Sequence, residues 1–214
     1  MKKIFLILVL CGFAGIMFAQ GIKFGVTAGL NASSLNVKDN ARTSLNEKSD
    51  IGTDMGYKAG FQVGVVMDWG ITKDFSVIPE LNFSQKGTKF SDGKISLNYL
   101  TLPINAAYKF DLGMDQKLLV FAGPYLGYGL SVSGDAIPVI IGGDVIRMTK
   151  LKFGSDGNNL KPFDFGLNVG VGYQYTNIFF KVQYNLGLAN MVRWENQSWE
   201  NSNLGVTVGY MFNL

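Results

Sequence analysis

No histidine occurs anywhere in the 214-residue chain. The commonest general base and the commonest metal ligand are therefore missing, and neither a Ser–His–acid set nor an Asp–His pair can be assembled. Cysteine occurs once, as Cys11, so the chain can form no internal disulfide. Charged residues make up only 16% of the chain, against about a quarter in ordinary soluble domains. The formal charge of +3 is too small to hold a nucleic acid through its phosphates. Proline is sparse, with five residues, and no helical period runs through the chain after residue 20. These absences lead us to expect no enzyme, no cofactor, no bound metal and no nucleic-acid partner.

Glycine, in contrast, is abundant at 27 residues. Its placement is regular. In "DFGLNVGVGYQY" (164–175) the odd positions are Phe165, Leu167, Val169, Val171, Tyr173 and Tyr175. The even positions are Asp164, Gly166, Asn168, Gly170, Gly172 and Gln174. A strand sends successive side chains to opposite faces, so this is a strand with one large apolar face and one small or polar face.

The first residues are of another kind. Lys2 and Lys3 precede an apolar run from Ile4 to Phe18, and Ala19 closes it. This pattern predicts a secretory signal peptide over 1–19 and leaves 20–214 as the exported domain. The run is short for a membrane-spanning helix. Leu10 is large where lipoprotein processing at Cys11 would need a small residue, so an amino-terminal lipid is not expected. Cleavage removes two lysines and no acid, so the exported charge is +3 minus 2, or +1, and the only cysteine is lost.

The same alternation recurs along the rest of the chain and gives eight strands. They begin near Ile22, Tyr57, Phe75, Tyr99, Leu118, Phe163, Ile178 and Leu204. Pro79, Pro103 and Pro124 fall inside them and predict bulges or bends, because proline cannot donate to the ladder. The connections alternate in length. Short ones lie at 70–74, 111–117 and 176–177, and longer ones at about 35–56, 133–161 and 190–202, with "SDGK" (91–94) as the exception. Long connections on one side and short turns on the other predict an all-β, eight-stranded antiparallel up-and-down transmembrane β-barrel of outer-membrane type.

The two faces fix its orientation. A soluble ligand-binding barrel of the lipocalin kind, the less favoured reading, would turn the glycine-rich face to water, where it would expose backbone and weaken the strands. If instead the apolar face meets outer-membrane lipid, glycine lies in the lumen, which eight strands leave just wide enough for side chains to fill. Aromatics agree with this. Trp69, Phe75, Tyr108, Phe110, Tyr173, Tyr175, Phe180, Tyr210 and Phe212 lie near the short-turn ends, where one interfacial girdle belongs. Tyr57, Phe83, Tyr128, Phe163 and Trp194 would form the other.

The lumen face carries Lys23, Lys58, Asp68, Glu80, Lys86, Lys109, Asp164 and Lys181. Buried charges need partners, so we expect an internal charge network. At its centre we place Asp68 and Glu80 against Lys109 and Lys181. The connection 133–161 holds "AIPVII" and "DVIRMTKLKF" around "GGD", which predicts a hairpin beyond the membrane. Its Ile140, Ile141 and Val145 are candidates for docking a protein partner.

The stretches "IPELNFSQKG" (78–87), "LNYLTLPINAAYKF" (97–110), "FAGPYLGYGL" (121–130) and "FDFGLNVGVGYQY" (163–175) together resemble the PorT-like outer-membrane β-barrel family. The resemblance covers most of the exported chain, in order. It implies an eight-stranded barrel in the outer membrane of Gram-negative bacteria. Because the founding member is associated with protein secretion, it also implies an alternative role as a secretion or transport component. The favoured reading is a structural or interaction barrel that acts through its extracellular loops.

Overall fold

The computed structural model describes residues 21–39, 56–90, 93–134, 137–141, 144–148, 152–154, 160–192 and 197–212. The predicted signal peptide and Trp194 lie outside these residues. The strands are β1 (Ile22–Asp39), β2 (Gly56–Gly70), β3 (Phe75–Phe90), β4 (Gly93–Gly113), β5 (Gln116–Gly134), β6 (Ile137–Ile141), β7 (Asp144–Met148), β8 (Phe163–Tyr175), β9 (Ile178–Gly187) and β10 (Gln197–Met211). Eight of them close an antiparallel barrel in the order β1-β10-β9-β8-β5-β4-β3-β2, and β6 and β7 form a separate hairpin. Closure pairs Gly25–Asp39 of β1 with Gln197–Met211 of β10, leaving that seam without a free edge inside the membrane.

The short turns follow from local chemistry. β4 and β5 meet at Gly113 and Gln116, with Met114 and Asp115 at φ 53 and 59. Positive φ at both central positions is the two-residue hairpin geometry that matches strand twist. β8 and β9 meet at Tyr175 and Ile178, where Thr176 takes φ 51. Its turn is held by backbone bonds to both neighbours, Thr176 N–H to Asp115 at 2.9 Å and Met211 N–H to the Asn177 carbonyl at 2.7 Å. In outer-membrane barrels the short turns mark the periplasmic end.

The prolines do not shift the ladders. Register runs unchanged past Pro79, Pro103 and Pro124, and the shifts lie at Tyr57–Gln62, Asn98–Tyr99 and Asp111–Gly113. The expectation of bulges at the prolines is thus corrected: each proline leaves a local gap in the pairing and no change of register.

Several strands are longer than the alternation predicts. β1 reaches Asp39, β4 starts at Gly93 and β10 starts at Gln197. The reason is an inversion of polarity at fixed geometry. On β4, Leu100, Leu102 and Ile104 point outward, but below residue 100 the outward positions are Lys94, Ser96 and Asn98. Over the same stretch the inward positions become apolar, as Ile95, Leu97 and Tyr99, all fully buried. Leu35 on β1 and Trp199 on β10 are buried inward in the same zone. Here the barrel has left the bilayer and is built like a water-soluble protein. A search for one continuous apolar face breaks off at this boundary.

The hydrophobic core lies in that extramembrane zone. Leu35, Ile95, Leu97, Tyr99 and Trp199 from the wall pack with Leu160, Met191 and Val192 from the connections, and Val132 and Phe153 join them. The Phe153 ring meets the Tyr99 ring edge-on at 5.3 Å and covers Gly129. This apolar plug closes the extracellular mouth.

Within the membrane the outer face is apolar, with Val169, Val171 and Val206 each more than half exposed. Aromatic pairs mark both rims. Tyr108–Phe110 and Tyr210–Phe212 have centroids 4.8 and 5.7 Å apart at the short-turn end, and Tyr128–Phe163 are 5.3 Å apart at the other.

Candidate functional site

The lumen gathers the chain's buried polar chemistry, arranged in layers along the barrel axis. Nearest the periplasm, Lys109 on β4 makes an ion pair with Asp68 on β2. At mid-height Lys181 on β9 pairs with Glu80 on β3, whose second oxygen accepts from Asn82 Nδ2 at 3.1 Å. Toward the outside, Lys86 on β3 pairs with Asp164 on β8 at 3.3 Å, and both side chains are almost wholly buried.

The Asp164 layer is the most heavily determined. Its Oδ2 accepts from Lys86 Nζ at 3.3 Å, Tyr125 OH at 3.3 Å and Asn201 Nδ2 at 2.9 Å. The Lys86 ammonium also lies over the Tyr99 and Tyr125 rings, 5.2 and 4.8 Å from their centroids. Two aromatic faces and a carboxylate replace the water that this cation gives up on burial.

Glycine makes these layers possible in two ways. First, it sits beneath aromatic rings of the neighbouring strand: Phe121 opposite Gly170, Tyr125 opposite Gly166 and Phe179 opposite Gly209. A Cβ at any of these glycines would run into the ring. Second, it lets side chains two strands apart meet over it. Thr27 of β1 bonds Asn82 of β3 at 3.3 Å over Gly64 of β2, and Asn31 bonds Ser84 at 3.0 Å over Gly60. Gln62 bonds Thr207 in the same way over Gly29.

Among the residues singled out from the sequence, the structure brings Asp68 to Lys109 and Glu80 to Lys181. It also joins Lys86 to Asp164, a pairing that sequence order gave no means to choose. Lys58 is buried where β2 is irregular, and among the described residues its Nζ reaches the Ala59 carbonyl at 3.4 Å and Gln85 Oε1 at 3.5 Å. Lys23 stands exposed at the periplasmic rim, opposite Asp68 in register. Ile140, Ile141 and Val145 lie on the β6–β7 hairpin, where Ile140 pairs with Val145 and Ile141 with Asp144. Their side chains lie outside the described residues. The apolar plug was missed from sequence. Its signal was present in "ISLNY" (95–99), where the apolar residues take the positions that are polar further along β4.

No group of three or more metal-ligating side chains occurs among the described residues. A cavity of about 40 Å³ lies below the Glu80–Lys181 layer, walled by Leu119, Phe121, Phe179 and Met211.

A closed antiparallel barrel with an apolar belt, two aromatic rims and a polar, filled lumen has the physical form of an outer-membrane protein. The model of the outer membrane protein beta-barrel domain matches residues 18–193. The chain belongs to that family. As a member of the outer membrane protein beta-barrel family it resides in the cell outer membrane. Among solved structures it is similar to Neisserial surface protein A, with 16% identity over 90% of this chain and 99% of that one, at a TM-score of 0.48. It is also similar to OprG of Pseudomonas aeruginosa, with 12% identity over 90% and 96% and a TM-score of 0.46. The outer membrane enzyme PagL is similar at 13% identity over 87% and 98%, with a TM-score of 0.46. Fold alone says nothing about catalysis. No curated protein matches the chain.

Proposed function

We propose that this protein is a closed, non-catalytic outer-membrane barrel with a structural or interaction role carried by its extracellular side. The observation that supports this reading best is the filled lumen. Three buried ion-pair layers block the axis, and an apolar plug seals the outer mouth. Such an interior leaves no continuous water path for a solute. The candidate contact surface is the β6–β7 hairpin with Ile140, Ile141 and Val145, because it stands apart from the barrel sheet. We place the chain nearest the PorT-like barrels, since the four stretches that carry the resemblance fall on β3, β4, β5 and β8. Residues 1–19 serve as its export signal.

Planar-bilayer recording tests the closed lumen. The refolded barrel should show no steady single-channel conductance, and a reproducible channel would overturn the reading in favour of transport. Capture of a cell-envelope partner that depends on the hairpin would support the interaction role. Intact function after hairpin removal would refute the assignment to that hairpin.

A further inference from the structure

Along the outer face of β3 and β4 the chemistry changes in a fixed order toward the extracellular side. Leu81, Leu100 and Leu102 are exposed to lipid. Next come amides and a hydroxyl. Gln85 Nε2 donates to Asn98 Oδ1 at 3.4 Å, and Asn98 Nδ2 donates to Ser131 Oγ of β5 at 2.9 Å. Four residues beyond Gln85 and Asn98 stand Lys89 and Lys94, both exposed and opposite each other in register. At the rise of a tilted strand they lie about 10 Å above the amides.

Like charges directly opposite on neighbouring strands repel. Lys58 adds a third. A Cβ at Gly87 would stand 3.1 Å from Lys58 Cδ, and Gly87 pairs with Ser96, so Lys58 lies above the lipid beneath the two exposed lysines. Burial, followed by the charges of Lys94 and Lys89, lowers the pKa of its ammonium. Among the described residues neither Lys58 nor Lys89 makes a salt bridge. The turn between Lys89 and Lys94 supplies one acid in sequence, Asp92, which lies outside the described residues. Three lysines and this acid give +3 minus 1, or +2. Glu200 is on β10, three strands from β3 in the barrel order. An anion that reaches both exposed lysines would relieve the repulsion through charge-assisted bonds.

We propose that this face binds the phosphorylated saccharide headgroup of a glycolipid in the outer leaflet. Acyl chains lie along Leu81, Leu100 and Leu102. Saccharide hydroxyls meet Gln85, Asn98 and Ser131, and a phosphate sits between Lys89 and Lys94. The spacing selects the class. A glycerophospholipid carries its phosphate next to its acyl chains, at the level of the amides. A saccharide lifts phosphate to the level of the lysines. The site is on the outer wall, so it uses neither the lumen nor the β6–β7 hairpin.

The test titrates the full barrel, in micelles of a zwitterionic detergent, with the diphosphorylated glucosamine disaccharide lipid A. Backbone amide shifts of residues 85–98 are followed by NMR. Lipid A should give saturable shifts. Dephosphorylated lipid A and phosphatidylglycerol should each bind at least about tenfold more weakly, because each loses hydrogen bonds between phosphate and lysine. Inorganic phosphate should give no saturable shift at the same concentrations. The Lys89→Gln/Lys94→Gln pair should weaken lipid A about tenfold and leave its dephosphorylated form unchanged. Ser96→Glu keeps both lysines, adds an outward acid beside Lys94, and should weaken lipid A likewise; it carries the test if the lysine pair does not fold. Lys73→Gln/Lys117→Gln, at the periplasmic end, should change nothing. Absence of saturable lipid A shifts would overturn the proposal. So would phosphatidylglycerol or inorganic phosphate binding as well as lipid A, or lipid A binding indifferent to both the lysine pair and Ser96→Glu. None of these results bears on conductance or on the hairpin, so the closed-barrel reading stands or falls separately.

Discussion

Asn168 on β8 donates through Nδ2 to Asn105 Oδ1 on β4 at 3.3 Å, and the strand between them contributes only Gly123 at that height. Asn168 in turn accepts from Asn185 of β9 at 2.7 Å. The amide chain thus spans four strands because one of them has no side chain there. A methyl group at Gly123 would stand 2.8 Å from Asn105 Cα and against the Ile104 carbonyl.

Gly123→Ala should therefore destabilise the barrel by about 1–3 kcal/mol, the usual cost of overpacking a tight interior. Gly205→Ala is the control. There the nearest atoms are Asn31 Oδ1 and Gln183 Cγ, at 3.3 and 3.4 Å, both on side chains and not on backbone. Its cost should be clearly smaller in urea titrations of the refolded barrel. Equal costs at both sites would mean that inner glycines serve only to ease strand coiling.

How far this was legible in the sequence depends on range. Alternation along one strand is a local property, and it identified the eight barrel strands and the inward glycines. Which residue each glycine serves is set by strand register two neighbours away, so the Asn105–Asn168 and Thr27–Asn82 contacts could not be read. Asp68–Lys109 and Glu80–Lys181 were within reach because both pairs lie toward the short-turn end and carry opposite charge. The plug was hidden for another reason. Leu97 and Leu100 are three residues apart with opposite orientations, and a single apolar face accommodates only one of them.

That inversion gives a graded prediction. Val169→Arg places a cation in mid-bilayer on the lipid face and should cost about 2–4 kcal/mol of folding free energy in vesicles. Ser96→Arg is also outward but above the lipid, and should be nearly neutral. Leu97→Arg, one residue further, points into the fully buried plug and should prevent closure of the outer mouth. A Ser96→Arg penalty matching that of Val169→Arg would move the membrane boundary and refute the inversion.

The Lys86–Asp164 pair should behave as a unit. Lys86→Met keeps the stem against Tyr99 and Tyr125 but strands a buried carboxylate, and a loss of about 3–5 kcal/mol is expected for a broken buried pair. Asp164→Asn alone strands the ammonium. The double substitution removes both charges and should cost less than the sum of the two. Strict additivity in the urea midpoints would show that the two groups do not depend on each other.

The hairpin prediction follows from connectivity. β6 and β7 pair with each other and with no barrel strand, and among the described residues between β5 and β8 the plug takes Phe153 and Leu160. A short Gly/Ser link in place of Asp135 to Lys152 therefore removes the hairpin and keeps Phe153 against Tyr99 and Gly129. Surface loops tolerate deletion when the backbone removed is not part of a ladder. The shortened protein should fold to a heat-modifiable barrel with an unchanged urea midpoint. Extending the deletion through Leu160 should lower that midpoint by about 2–5 kcal/mol equivalent, since it empties a fully buried aliphatic position. If both deletions are equally harmless, the plug contributes nothing to stability. If the shorter one already prevents folding, the hairpin is part of the barrel's folding unit, and it cannot be a dispensable surface for a partner.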